Sequence, residues 1–183
     1  MILIAPYAKK LRTGKRNPKD YPYWSELLEM IEEPVVQVGI DGEEALVEDF
    51  RKNLPIAELR SLIQQCKTWI GCDSFFQHLA WDEKKPGIVL WSVSDPLIFG
   101  HPENINLLKD RSCLAENQFL WWEMVEHKNE KFVEPKVVYQ HLKELLIKRE
   151  LWHKQVIPQF NFITAQPVRR FQLQEICCRG SLV

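Results

Sequence analysis

Trp69-Ile70-Gly71-Cys72-Asp73-Ser74-Phe75-Phe76-Gln77-His78-Leu79-Ala80-Trp81 changes character halfway along. Trp69–Cys72 is a short apolar run and reads as a strand. Ser74 to Trp81 (SFFQHLAW) reads as a helix, and Asp73 or Ser74 stands where its cap belongs. A strand leading directly into a capped helix is the repeating unit of α/β sheets.

The same alternation continues on both sides. Upstream, Pro55–Cys66 has helical spacing through Ile56, Leu59, Leu62 and Ile63, and Val35–Val38 is a β-branched strand turned at its end by Gly39 and Gly42. Before it, Tyr23, Trp24, Leu27, Leu28 and Ile31 give a helix an apolar face, with Pro22 expected in its first turn and Pro34 ending it. The chain opens with Met1–Pro6, a short apolar strand, followed by a basic loop reaching Pro22. Downstream, Gly87–Ser92 is the most strand-like stretch, Asp95–Pro102 reads as a loop, and Val133–Leu151 as an amphipathic helix. The strands are continuous apolar runs, which fits a parallel sheet covered by helices on both faces. The expected fold is therefore α/β: one Rossmann-like domain over residues 1–155, followed by a tail, 156–183, without clear periodicity.

A chain of 183 residues supports one well-buried core, and 45% hydrophobic with 27% charged residues marks it as globular. A net charge of −1 gives no global electrostatic case for nucleic acid or anionic membrane. No apolar run approaches the roughly 18–20 residues of a membrane span. The apolar N-terminus precedes the positive charges, the reverse of a secretion signal. Five cysteines without a CxxC pair suggest reduced thiols and a cytoplasmic setting. The tryptophans are expected mostly on apolar faces, as core.

Four stretches could carry chemistry. At Asp73-Ser74-Phe75 the helix start presents backbone N–H groups suited to an anion such as a diphosphate, and His78 follows one turn later. The bland alternative is that Asp73 or Ser74 only caps the helix and His78 is a satisfied histidine. Lys9, Lys10, Arg12, Lys15, Arg16 and Lys19 crowd the loop after the first strand, where Lys15, Arg16 and Lys19 could face phosphate. Glu43 and Glu44 follow the second strand, where an acidic side chain commonly accepts from ribose hydroxyls; a solvated turn is the alternative. Ser94-Asp95-Pro96 with Phe99-Gly100-His101-Pro102 forms a loop of the kind that covers a ligand. There is no P-loop, G-x-G-x-x-G, G-x-S-x-G or H-E-x-x-H pattern. Nor is there a D-x-D triplet, so no metal held by paired carboxylates is expected.

Together, ELRSLIQQCKTWIGCDSFFQHLAWDEKKPGIVLWSVSDPLIFGHP (residues 58–102) resembles the C-terminal domain of glycosyltransferase family 9, the heptosyltransferase-like family. There a helix with an L-x-E-L-x-x-L-I-type pattern leads to a strand, a D-S/T-G-x-x-H-L/I-A segment, a K-P strand and a T-D-P-like loop. The matching positions are Glu58, Leu59, Asp73, Ser74, His78, Leu79, Ala80, Lys85, Pro86, Ser94, Asp95 and Pro96. Tyr21-Pro22-Tyr23-Trp24, preceded by basic residues, is similar to the K-x-W-P element that opens the same domain. Phe75 stands where the family usually has glycine. Five separated elements thus occur in order over residues 1–110.

The resemblance implies the donor-binding half of a two-domain (GT-B) glycosyltransferase, metal-independent and without cofactor, with a nucleotide-diphosphate sugar as substrate. Asp73, Ser74 and Phe75 with Lys15, Arg16 or Lys19 would hold the diphosphate, Glu43 or Glu44 the ribose, and His78 would lie near the sugar phosphates. The acceptor would be a saccharide or, given the basic rim, a hydroxylated base in DNA. Family members carry their catalytic base in the other domain, so the candidates within this chain are Asp20, His78 and Asp95. A homodimer partner or another chain could supply the missing acceptor domain. The alternative is a non-catalytic nucleotide-sugar-binding module or partner subunit.

Overall fold

The computed structural model describes residues 1–119 and 121–160, with 149–160 as backbone alone. Six strands form one sheet: β1 (Ile2–Ala5), β2 (Val35–Gly39), β3 (Phe50–Lys52), β4 (Thr68–Cys72), β5 (Ile88–Leu90) and β6 (Ile105–Leu107). Five α-helices accompany them: α1 (Trp24–Met30), α2 (Ile56–Gln65), α3 (Phe75–Asp82), α4 (Pro96–Phe99) and α5 (Pro135–Phe160). The strand order is β3-β2-β1-β4-β5-β6 and every pairing is parallel. Met1–Arg149 is one compact unit; of the second, Glu150–Val183, the described part is the end of α5.

Successive strand residues point to opposite faces, and each face receives its own helices. Ile2 and Ile4 of β1, with Ile70, Ile88 and Leu90, pack against Trp24 and Leu27 of α1 and Val138 and Leu142 of α5. Leu3 and Ala5, with Val36, Val38, Trp69 and Val89, pack against Leu62 and Ile63 of α2 and Phe76, Leu79 and Ala80 of α3. Both faces are covered, so these strands carry apolar residues at nearly every position rather than at alternate ones, with Gln37 and Thr68 as buried polar exceptions.

Two polar groups are buried in this frame to fasten it. Lys85 is 6% exposed, and its ammonium donates to the Gln64 and Cys66 carbonyls at 2.9 and 2.8 Å, where α2 ends. A cation there satisfies orphan carbonyls and complements the helix dipole. Gln37, fully buried on β2, donates to Glu44 O (2.8 Å) and accepts from Leu46 N–H (2.7 Å), holding down the β2–β3 loop.

The structure differs from the sequence reading at several boundaries. Pro22 precedes the N-cap Tyr23 rather than entering the first turn, and α1 ends before Pro34 is reached. β3 and β6 are not apparent in the sequence: each has three residues, lies at a sheet edge and is largely half-buried. The Asp95–Pro102 loop contains α4, and the last helix runs on to Phe160. Of the expected tail, 156–160 continue α5, whereas Phe162, Phe171, Cys177 and Cys178 lie outside the described residues.

Candidate functional site

In an open parallel sheet, loops leave the C-terminal strand ends in opposite directions where the order reverses, and a crevice opens there. Here the reversal falls between β1 and β4. The crevice has a volume of about 570 Å³, within the range of small-ligand sites. Tyr7, Ala8 and Lys9 border it after β1, Ile40 and Glu43 after β2, Asn53 and Leu54 after β3, and Asp73 to Phe76 after β4. Much of its wall is apolar, and Ile40, Ile56 and Phe75 there are 52%, 56% and 61% exposed.

The loop after β1 is folded tightly on itself. Gly14, at φ +71°, closes a turn through its N–H to Leu11 O. Asn17, 5% exposed, donates to Lys9 O (2.8 Å) and accepts from Lys19 N–H (2.9 Å). Ser92, beyond β5, donates to Pro18 O at 2.7 Å. These bonds aim Lys19 into the crevice, where its ammonium meets Asp73 Oδ2 at 2.6 Å and lies 4.2 Å from the Trp122 ring centre. Gln77 donates to the other oxygen of Asp73 at 2.7 Å. Asp73 is thus an ion-pair partner instead of a cap, and Ser74 occupies the N-cap position of α3 with no capping bond from its side chain.

Lys15 and Arg16 go elsewhere. With Asp20, Glu43 and Glu44 they border an adjoining cavity of about 320 Å³. Both cavities share Tyr7, Ala8, Asn17, Ile40 and Glu43. Asp20 is 8% exposed and accepts from Ala8 N–H at 2.8 Å. Burial pushes its carboxyl up to about 6, against the opposing pull of that bond and of Arg16. Burial likewise raises Glu43, whose carboxylate accepts from Ile40 N–H at 3.1 Å, and lifts the Tyr7 phenol to about 12, aided by Glu44 and Asp20.

His78 and Asp95 border neither cavity. The exposed His78 places Nδ1 2.9 Å from Nε2 of His101, whose ring stacks on Trp81 at 4.4 Å. Burial and His78 together lower the His101 pKa. Asp95 caps α4 through Leu97 N–H (2.9 Å) and binds Arg111 at 2.6 and 3.3 Å, which holds its carboxyl below the usual range.

Sequence reasoning missed Arg51, Asn53 and Trp122 in the crevice wall, and gave Lys9 only to the basic rim. Lys9 belongs to the basic run already noted, whereas Arg51 and Asn53 depend on the unrecognised β3. The tryptophans also divide more unevenly than expected: Trp24, Trp69 and Trp91 are core, but Trp121 is 66% exposed. Among the described residues no three His, Cys, Asp or Glu side chains converge as a metal site, and no helix is long and apolar enough to cross a membrane.

An all-parallel, six-stranded sheet with helices on both faces and a crevice at its switch point defines a Rossmann-like α/β domain. Among solved structures, it resembles the E. coli ADP-heptose LPS heptosyltransferase II, with a TM-score of 0.57 and 18% identity over 81% of this chain and 47% of that one. It also resembles the dodecameric iron-containing heptosyltransferase TibC in complex with ADP-D-beta-D-heptose, with a TM-score of 0.56 and 15% identity over 80% of this chain and 46% of that one. The likeness shows a shared fold, and the chain spans about half the length of these heptosyltransferases. No family model and no curated protein sequence matches the chain.

Proposed function

We propose that the crevice binds a nucleoside diphosphate sugar and that the chain takes part in glycosyl transfer to an acceptor hydroxyl. The observation that carries this reading is the convergence of Lys19, Lys9 and the α3 N-terminus on a largely apolar crevice at the switch point. Lys19 would exchange Asp73 for a phosphate oxygen, Ser74 and the Phe75 backbone would meet the diphosphate, and Ile40, Ile56 and Phe75 would pack on the nucleobase. Glu43, on the wall between the two cavities, fits the ribose hydroxyls better than Glu44, which borders the smaller cavity alone. Lys15 and Arg16 would act from that smaller cavity, on a ligand reaching into it.

Of the three candidate bases, Asp20 fits best. Its carboxyl borders a cavity and titrates near 6, as a base working near neutrality requires. Asp95 is held by Arg111, and His78 faces His101. The acceptor is a saccharide or a hydroxylated base, and a second copy or another chain would complete its site.

A thermal-shift screen with ADP, UDP, GDP and their sugars tests this. At a ligand concentration of about 100 Kd the stabilisation is about 2.7 kcal/mol, a Tm rise of roughly 5–10 °C for a chain of this size. Release of nucleoside diphosphate from the sugar supports the enzyme. Stabilisation without turnover supports a non-catalytic binding module, and no shift with any of these ligands removes the donor site.

A further inference from the structure

Beside the crevice runs a second groove of about 360 Å³, with Lys9, Lys10 and Arg12 on its wall together with Phe119, Trp121 and Trp122. Lys9, Asn17 and Trp122 line both spaces, so the groove adjoins the crevice. Its aromatic residues are unusual for a surface: Phe119 is 80% exposed and Trp121 66%. Exposed large rings gathered in one place mark a contact surface more often than a fold requirement. The Arg12 guanidinium lies 4.7 Å from the Trp121 ring centre, so charge and π face are presented together. Glu123 is the one acid on the wall, against three cations.

A ligand complementary to this surface repeats a negative charge and a flat ring. Single-stranded nucleic acid does so at every nucleotide, and such strands bind on aromatic platforms set in basic grooves. A neutral saccharide would use the rings but leave three cations without partners. A duplex would keep its bases stacked and away from Trp121. We propose that this groove binds a single-stranded nucleic-acid segment and delivers a hydroxyl carried by that strand to the crevice. The delivery step rests on the donor-site reading above. In it the bond from the sugar's anomeric carbon to the diphosphate oxygen breaks and one to the acceptor oxygen forms. The acceptor proton passes to the base, and the nucleoside diphosphate leaves.

The test is fluorescence anisotropy with labelled single-stranded DNA of about 15 nucleotides, the RNA of the same sequence, and the DNA duplex. Both single strands should bind better than the duplex. Trp121→Ala should weaken binding roughly tenfold, Trp121→Phe should restore most of it, and circular dichroism should show the fold unchanged. Lys10→Ala should reduce the slope of log affinity against log salt by about 0.7. Absence of binding at low salt refutes the proposal, as does binding indifferent to both Trp121→Ala and Lys10→Ala. Binding of maltopentaose in place of the oligonucleotides, lost in Trp121→Ala, refutes it in favour of a saccharide. The ADP and UDP thermal shifts, measured on the same samples, separate the two readings. A nucleotide shift retained in Trp121→Ala with no oligonucleotide binding overturns the groove alone. Oligonucleotide binding without any nucleotide shift overturns the delivery to a donor site.

Discussion

Replacing Lys19 by alanine should destabilise the fold and empty the crevice of its best-placed cation, and the two effects can be separated. The ammonium and Asp73 Oδ2 are 2.6 Å apart, with side chains only 12% and 6% exposed. Removing one partner of a buried pair costs about 3–5 kcal/mol because the other charge stays behind. Water reaching Asp73 through the crevice lowers this to about 2 kcal/mol, or a Tm fall of roughly 4–8 °C. In Lys19→Ala/Asp73→Ala no charge is stranded, so the double variant should recover to within about 1 kcal/mol of the parent, a strongly non-additive result. Asp73→Asn should behave differently again. It keeps an acceptor for Gln77 but releases the ammonium toward a ligand, so ADP or UDP affinity should hold or rise, while Lys19→Ala loses about tenfold or more. Thermal unfolding followed by circular dichroism, with and without nucleotide, reads all of these. A Lys19→Ala variant as stable as the parent, or a double variant no better than the single, would refute the buried-pair reasoning. Loss of nucleotide affinity in Asp73→Asn would show that Lys19 does not exchange partners.

Asp20 carries a pH signature. Because its folded pKa is raised from 3.8 to about 6, its contribution to stability is fully present below about 4 and is lost as pH rises through 6. Asp20→Asn should therefore gain on the parent across that window, by up to about 3 kcal/mol, and run parallel above it; Tm measured from pH 4 to 8 checks the shape. Gly87→Ala would set a methyl carbon 2.3–2.6 Å from atoms of the fully buried Trp69 indole, a clash that should cost about 1–3 kcal/mol in denaturant unfolding. Gln37→Leu strips the β2–β3 loop of its two bonds to the Gln37 side chain. A loss of about 2–3 kcal/mol is expected, with faster amide exchange over residues 40–49 and weaker nucleotide binding through Glu43.

The continuous apolar runs at Ile2–Ala5, Trp69–Cys72 and Ile88–Leu90 announce buried parallel strands, because a strand covered on both faces admits a polar side chain only where that side chain finds a partner, as Gln37 does. Leu59, Leu62 and Ile63 announce a helix for an equally local reason, the period of the backbone. Strand type, helix face and the loop bearing the candidate anion site were thus legible from neighbours in the chain, and so was the likeness of residues 1–110 to half a glycosyltransferase. The edge strands β3 and β6 were not, since three half-buried residues carry too little pattern to stand out. Which cation reaches Asp73 was also beyond local pattern. Lys15, Arg16 and Lys19 look alike in sequence, and the bonds of Asn17 and Ser92 select Lys19. Tertiary structure alone paired His78 with His101, tied Asp95 to Arg111, and brought Trp121 and Trp122 beside Arg12 and Lys19 across about a hundred residues. Periodicity is written in adjacent residues, whereas these meetings exist only once the sheet has closed the long loops between them.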